Sequence, residues 1–264
     1  MTEPASVYSV VAYNTAHASE NKIHDNAVAQ RFGFAGGLVP GVDVYAYMAH
    51  LPVARWGRDF LQHGSLQARF LKPVYDGETA IVSAAEADGG LDIAVKSRGE
   101  LCATGHAAMT RTPPLALDAF EATAAVAERS PADEASLTVG RRLGIKPLSI
   151  TREWAARYVE DVRERDPLYL SEGLSHPGQL PRLFNWALTH NVVLGPWIHV
   201  SSKTDHFAAA RIGDELTVRA KVTANYEKKG HRFVDLDGLV IANATTPIAR
   251  IAHTAIYRPR AVAA

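Results

Sequence analysis

The sequence predicts an α+β protein made of two copies of one unit, each a buried helix followed by an antiparallel sheet. Three observations carry this. Two Pro-Gly pairs open apolar runs, in "LVPGVDVYAYMAHL" and "SHPGQLPRLFNWAL", and their glycines, Gly41 and Gly178, lie 137 residues apart. Two strand–turn glycines flanked by acids, Gly77 in "ARFLKPVYDGETAIVSA" and Gly213 in "TDHFAAARIGDELTVRA", lie 136 apart. Features that recur at nearly one offset mark an internal duplication. After each strand–turn glycine the apolar residues alternate and are punctuated by Asp-Gly or Lys-Gly turns, which reads as antiparallel hairpins. A helix and then a meander is an α+β arrangement.

The elements follow in order. In "SENKIHDNAVAQRFGFAGGLVPGV", Asp25 and Asn26 stand where a cap for the short helix "AVAQRFG" belongs, accepting bonds from its free amides. Gly36-Gly37 reads as a turn, and Gly41 allows the backbone a close approach to a ligand. From Val42, the residues Val44, Tyr45, Ala46, Met48, Ala49, Leu51 and Val53 are apolar nearly all round, which predicts a buried helix. The strands "TAIVSAAEA", "LDIAVKSR" and "LCATGHAAMTR" follow, with a turn at Asp88–Gly90. Residues 115–145, rich in Ala, Pro and acids with weak periodicity, predict a partly helical surface linker between 1–114 and 146–264. The second unit opens on an amphipathic helix with Trp154, Tyr158, Val159 and Val162 on one face. Its strands "ELTVRAKVTANYE", "RFVDLDGLVIANA" and "IARIAHTAIYR" surround a turn at Lys228–His231.

Composition narrows the function. Among 264 residues, 28 Lys and Arg balance 28 Asp and Glu, so no basic stripe exists for nucleic acid. The one cysteine, Cys102, makes neither an internal disulfide nor a zinc site and suits a reducing compartment. No apolar stretch approaches the ~20 residues of a membrane helix, and "MTEPASVYSVV" lacks the basic and apolar regions of a signal peptide. The expectation is a cytoplasmic protein without membrane or nucleic-acid partners. His17 and His24 lack the i,i+4 spacing of a metal pair, and no P-loop, dinucleotide fingerprint or nucleophile elbow is present, so neither a metal nor a bound cofactor is expected.

"SENKIH", followed by "GFAGGLVPGV", resembles the motif of the MaoC-like hydratases: Asp-x-Asn-Pro-aliphatic-His, a helical segment, then a glycine at the start of a central helix. Asn21, Ile23 and His24 match, Ser19 stands at the Asp position, Lys22 replaces Pro, and Gly41 takes the glycine position. A long central helix swathed by an antiparallel sheet is the hotdog fold. Two such units in tandem resemble the double-hotdog MaoC-like proteins, which include R-specific enoyl-CoA hydratases and acyl dehydratases. The architectural likeness spans nearly the whole chain, the motif only Ser19 to Val42. In the second unit the motif degrades to "ERDPLY", with Glu164, Asp166 and Tyr169 at the Asp, Asn and His positions. Having no histidine, that unit is expected to complete the substrate tunnel, the reverse of many relatives, whose catalytic copy is the C-terminal one.

The resemblance implies a hydro-lyase: reversible hydration of a 2-enoyl thioester, or dehydration of a 3-hydroxyacyl thioester, carried on coenzyme A or an acyl carrier. His24 is then the acid/base, since imidazole titrates near neutrality. The N–H of Gly41 or Val42 is the oxyanion donor, favoured by the helix dipole, and Asn21 is a positioning amide. Ser19 cannot ionise; Glu20, one residue along and one methylene longer than Asp, is the expected substitute. Ser19, Val42 and Tyr45 are expected to line the substrate, and His176, before Pro177-Gly178, is a further candidate facing it. No cofactor beyond the substrate's own carrier is implied. Two alternatives stand beside this: thioester hydrolysis through Glu20, and a non-catalytic acyl-thioester binder or partner subunit. The two units already form a pseudo-dimer, and a further homodimer is compatible with the sequence.

Overall fold

The computed structural model describes residues 6–17, 19–113 and 115–260. Pro114, in the stretch between the units, and residues 1–5, where the stretch read for a signal peptide begins, lie outside the described residues.

The first unit runs β1 (Ser6–Val11), α1 (Asn26–Arg31), α2 (Gly41–Trp56), α3 (Phe60–His63), β2 (Gly64–Phe70), β3 (Thr79–Ala87), β4 (Gly90–Ser97) and β5 (Glu100–Met109). Short strands β6 (Ser130–Pro131), β7 (Arg142–Leu143) and β8 (Leu148–Ser149) punctuate the connection. The second unit runs α4 (Arg152–Asp161), α5 (Leu168–Glu172), α6 (Gln179–Thr189), β9 (Val192–Val193), β10 (Ile198–His206), β11 (Glu215–Lys228), β12 (His231–Ala242) and β13 (Thr246–Arg258).

The two sheets expected from the repeat are joined edge to edge. One antiparallel sheet of 11 strands runs β1-β3-β4-β5-β2-β10-β13-β12-β11-β7, with β8 also pairing β11. The joint is β2 on β10, from Ser201↔Arg69 to Asp205↔Ser65. Isolated bridges Leu38↔Tyr75 and Leu174↔Arg211 occupy equivalent places in the two units, 136 residues apart, so the duplication read in the sequence is a structural one. The hairpin turns at Asp88-Gly89 and Lys229-Gly230 have positive φ at both central residues, 37° and 76°, then 53° and 77°. That geometry matches the twist of the flanking strands.

The core follows the apolar patterning. All of α2 from Val42 to Ala49 is buried, as are Leu51, Pro52 and Val53. A helix apolar on every side needs cover on every side, and the curved sheet and α6 supply it. Tyr45 belongs to this core, with no solvent exposure, and does not line the candidate site as expected. Its place on α2 turns the ring inward among packed side chains. The connection is less helical than expected: among its described residues it holds one helical turn, Leu117–Ala119, with turns at 134–137 and 139–140 and no helix longer than that turn. An Ala-rich stretch without an apolar face has little to hold a helix in water, and here its end pairs with the second sheet through β7 and β8. Among the described residues no helix is long and apolar enough to cross a membrane.

Candidate active site

His24 closes a single helical turn, Lys22–His24, anchored by the buried Ile23 and capped by Asn21, whose Oδ1 accepts from the Ile23 amide at 3.3 Å. The His24 ring is oriented from behind. Nδ1 lies 2.6 Å from the Leu38 carbonyl oxygen, which can only accept, so Nδ1 carries the hydrogen and Nε2 is left with its lone pair. Burial lowers the His24 pKa below its ordinary value, against the opposing pull of the Leu38 carbonyl and of Asp43, so the neutral ring is favoured. The His24 carbonyl accepts from Asn14 Nδ2 at 3.1 Å. Gly37 is more than a turn residue: a β-carbon there would run into that same carbonyl oxygen.

Asn21 ties this loop to the other unit. Its Nδ2 donates to the Trp197 carbonyl at 3.0 Å, its Oδ1 accepts from the Trp197 amide at 3.1 Å, and Nδ2 also lies 3.3 Å from His24 Nε2. The side chain thus pairs with a backbone as a strand would, and fixes the loop against the second unit.

A cavity of ≈ 360 Å³ lies in front of His24, between the units. The first unit contributes Thr15, Ser19, Glu20, Asn21, His24, Pro40 and Val42, the connection Arg129, and the second unit Arg182, Asn185, Trp186, Thr189, His190 and Trp197. A neighbouring cavity of ≈ 630 Å³, walled by Ala124 to Ala127, Ile145, Lys146 and Pro147, shares Glu20, Arg129, Thr189 and His190 with it. The two cavities therefore adjoin at these four residues.

The other expected residues fall in different places. Ser19 lines the cavity, with its Oγ accepting from the Asn21 amide at 3.1 Å. Glu20 stands at the mouth with its side chain 75% exposed and pairs with Arg129 at 3.0 Å, making no hydrogen bond to His24. The Arg129 hydrogen bond lowers its pKa, so it remains an ionised rim carboxylate. Val42 lines the cavity, while the close approach at Gly41 is to His199: a β-carbon there would sit 2.9 Å from His199 Nδ1. Pro40 offers α2 no capping side chain; its carbonyl accepts from the Asp43 and Val44 amides, which leaves those of Gly41 and Val42 as the donors at the helix start.

Two residues not singled out in the sequence meet at the cavity wall, Arg182 lining it and Asp43 buried behind it. Asp43, in the first turn of α2, accepts from Thr15 Oγ1 at 2.6 Å and from Arg182 Nη2 at 2.6 Å. The signal for Asp43 was present, as a lone acid inside an otherwise apolar helix. Arg182 carried no such signal.

The equivalent place in the second unit is closed. Glu164 accepts from the amides of Arg165 and Asp166, at 2.6 and 2.8 Å, and from His50 Nδ1 at 2.8 Å, and faces His176 Nε2 at 3.4 Å. Burial opposes its charge, but the hydrogen bonds from His176 and His50 outweigh it and hold the carboxyl well below the usual range. His176 takes a hydrogen from the Gly178 amide at Nδ1 and is fully buried, with the Tyr169 ring 4.5 Å from its own. His176 therefore faces this packed cluster.

No family model matches the sequence, and no curated protein does. Solved structures do. A conserved Mycobacterium tuberculosis protein, described as essential for bacterial survival during infection and as having a double hotdog fold, is 16% identical with a TM-score of 0.61, over 97% of this chain and 96% of that one. A Chloroflexus aurantiacus protein described as a MaoC domain dehydratase is 10% identical with a TM-score of 0.63, over 99% and 97%. A Novosphingobium aromaticivorans protein described as a thioesterase is 11% identical with a TM-score of 0.51, over 98% of each. The chain has the double-hotdog fold, shared with MaoC-like dehydratases and with hotdog thioesterases.

Proposed function

We propose that the chain is a hydro-lyase that adds water across the double bond of a 2-enoyl thioester and, in reverse, dehydrates a 3-hydroxyacyl thioester. The observation that carries this reading is the His24 ring: neutral, its tautomer set by the Leu38 carbonyl, and at the wall of a cavity between the two units. Water entering beside Nε2 displaces the long Asn21 contact. As its oxygen bonds to the β-carbon, Nε2 takes its proton, and the π-electrons shift onto the thioester oxygen. In this reading a first-turn amide of α2, that of the cavity-lining Val42, receives that charge, aided by the helix dipole. The imidazolium then returns the proton to the α-carbon, and the carbonyl re-forms. One histidine carries the proton from water to carbon, so no carboxylate is required at the Ser19 position. Glu20, bound to Arg129, orders the mouth.

The test is an assay with short 2-enoyl-CoA esters, following loss of the conjugated double bond and release of free thiol in parallel. Loss of the double bond without thiol, abolished in His24→Ala, supports the reading. Thiol release, with its dependence on Glu20 retained in His24→Ala, replaces it with hydrolysis.

A further inference from the structure

The connection between the units is built as a wall. It is pinned on both sides of residues 124–127. Before them, Arg219 Nη1 donates to the carbonyls of Leu117 and Phe120 at 3.0 and 3.1 Å. The Thr123 carbonyl lies so close to Gly144 that a β-carbon there has no room. After them, Ser130 and Pro131 pair in parallel with Val192 and Val193. Between these pins, Ala124, Ala125, Val126 and Ala127 wall the second cavity, of ≈ 630 Å³. Interiors are close-packed wherever side chains can fill them, and the short side chains of this stretch leave the space open. Among the described residues, the amides and carbonyls of 124–127 have no hydrogen-bond partner.

The charged groups of this cavity are mostly basic. Arg129, Lys146 and His190 line it, and Glu20 is its one acid. Arg129 Nη1 donates to Glu20 and, at 2.8 Å, to the Thr189 carbonyl; among the described residues Arg129 makes no hydrogen bond through Nε or Nη2. Lys146 is exposed and has no carboxylate partner among the described residues. His190 Nδ1 accepts from the Lys146 amide at 3.2 Å, so Nε2 of the neutral ring carries the hydrogen. Burial first, then the nearby Lys146 and Arg129, lower the His190 pKa, with Glu20 opposing. The two cations therefore act on the same end of the cavity, and Glu20 matches only one of them.

We propose that this second cavity holds the phosphorylated pantetheine arm of the thioester carrier, its amides along the free backbone of 124–127 and its phosphate on Lys146 and Arg129. This rests on the thioester reading above and adds the carrier's binding site, with the connection as part of it. An extended backbone with unpaired groups suits a ligand rich in amides, as a sheet edge suits a peptide. The planar guanidinium of Arg129 matches a phosphate through two parallel donors. Glu20 is the competitor: its 75% exposed side chain yields Arg129 to the phosphate at little cost. The cavities adjoin at this pair, so an arm that reaches both passes it.

The experiment is calorimetric titration of the full chain with pantetheine, 4′-phosphopantetheine and coenzyme A, which carry no acyl group and do not turn over. 4′-Phosphopantetheine is expected to bind at least about tenfold tighter than pantetheine. Arg129→Gln, and Lys146→Gln on an exposed side chain should the first variant misfold, are expected to bring it within about threefold of pantetheine. Glu20→Gln, which removes the competitor, is expected to tighten it about two- to threefold. Coenzyme A binding tighter than 4′-phosphopantetheine supports the proposal with free coenzyme A as carrier, and equal binding of the two supports it with a carrier protein. Equal binding with and without the phosphate, an unchanged preference in folded Lys146→Gln, no tightening in Glu20→Gln, or no binding of any of the three overturns it. In that case hydration of 2-enoyl-CoA that is lost in His24→Ala keeps the thioester reading standing, and absence of hydration overturns both.

Discussion

Asp43 of α2 and Arg182 of α6 meet across the boundary between the units, Oδ1 to Nη2 at 2.6 Å, with the carboxyl wholly buried. Thr15 closes the group by donating to Oδ2. Such a pair gains from mutual attraction but has lost its hydration, so removing one member leaves a buried charge alone. Asp43→Ala is expected to lower stability by about 3–5 kcal/mol in urea titration. The Asp43→Leu, Arg182→Leu double variant is expected to recover most of that loss, because an apolar pair carries no unmatched charge. A double variant as unstable as the single one would show that the pair contributes more than charge balance.

His24 and Glu20 separate under mutation. With Nε2 as the proton carrier, His24→Ala is expected to reduce kcat/KM for enoyl-thioester hydration by about 10²–10⁴. Glu20→Gln is expected to change it by less than about threefold, since exposed ion pairs such as Glu20–Arg129 contribute about 0–1 kcal/mol. A collapse in the Glu20 variant as deep as in the His24 variant would return the carboxylate to the chemistry.

The parts of the fold that were legible in the sequence are those where one physical demand dominates. The apolar run after Gly41 had to be buried, and Asp88-Gly89 had to turn, whatever the rest of the chain did. His24 and Asn21 were legible because a short loop sets their spacing. Arg182, Asn185 and Arg129 were not, because their role depends on the second unit docking against the first, and docking leaves no period in the sequence. Tyr45 failed for a related reason: the helix it lies on is buried on all sides, so apolar pattern alone does not say which side faces a cavity. Glu20 was read by adjacency to Ser19, while its exposed side chain followed the nearest cation.

Stability is expected to fall in mild acid. His199 and His206 are fully enclosed, and burial pushes their pKa values down to about 3 and about 4. His253, stacked on His199 at 4.3 Å and sharing Ser202 with it, is pushed down by burial too. In the unfolded chain all three titrate near 6.5. Below that pH the unfolded state binds protons that the folded state refuses, so stability is complete above about 6.5 and declines as pH falls. Each such histidine contributes a loss of about 1.4 kcal/mol per pH unit in that window, so the first two together remove about 4 kcal/mol by pH 5. Denaturant titrations at pH 7.5 and pH 5 measure the difference, and His206→Leu is expected to flatten it. Equal stability at the two pH values would mean that these imidazoles are hydrated or paired in solution.

Gly37 offers a test of how tightly the His24 loop is held. Its amide donates to Asn26 Oδ1 at 2.7 Å, and its α-carbon lies against the His24 carbonyl, where a β-carbon has no room. Gly36, its neighbour, would place a β-carbon 3.1 Å from Asn26 Oδ1, the end of a side chain that can yield. Gly37→Ala therefore forces the His24 backbone to move, and the imidazole with it, while Gly36→Ala does not. A shift of about 1 Å in a catalytic group costs on the order of 10² in rate, so Gly37→Ala is expected to lower kcat by about 10–100-fold, with a modest fall in melting temperature. Gly36→Ala is expected to retain kcat within about twofold on the same scale. Both variants add one methyl group to the same turn, so kcat compared at a temperature where both are fully folded reports the position of the His24 backbone. Equal kcat in the two would show that the loop absorbs the methyl group without moving the ring.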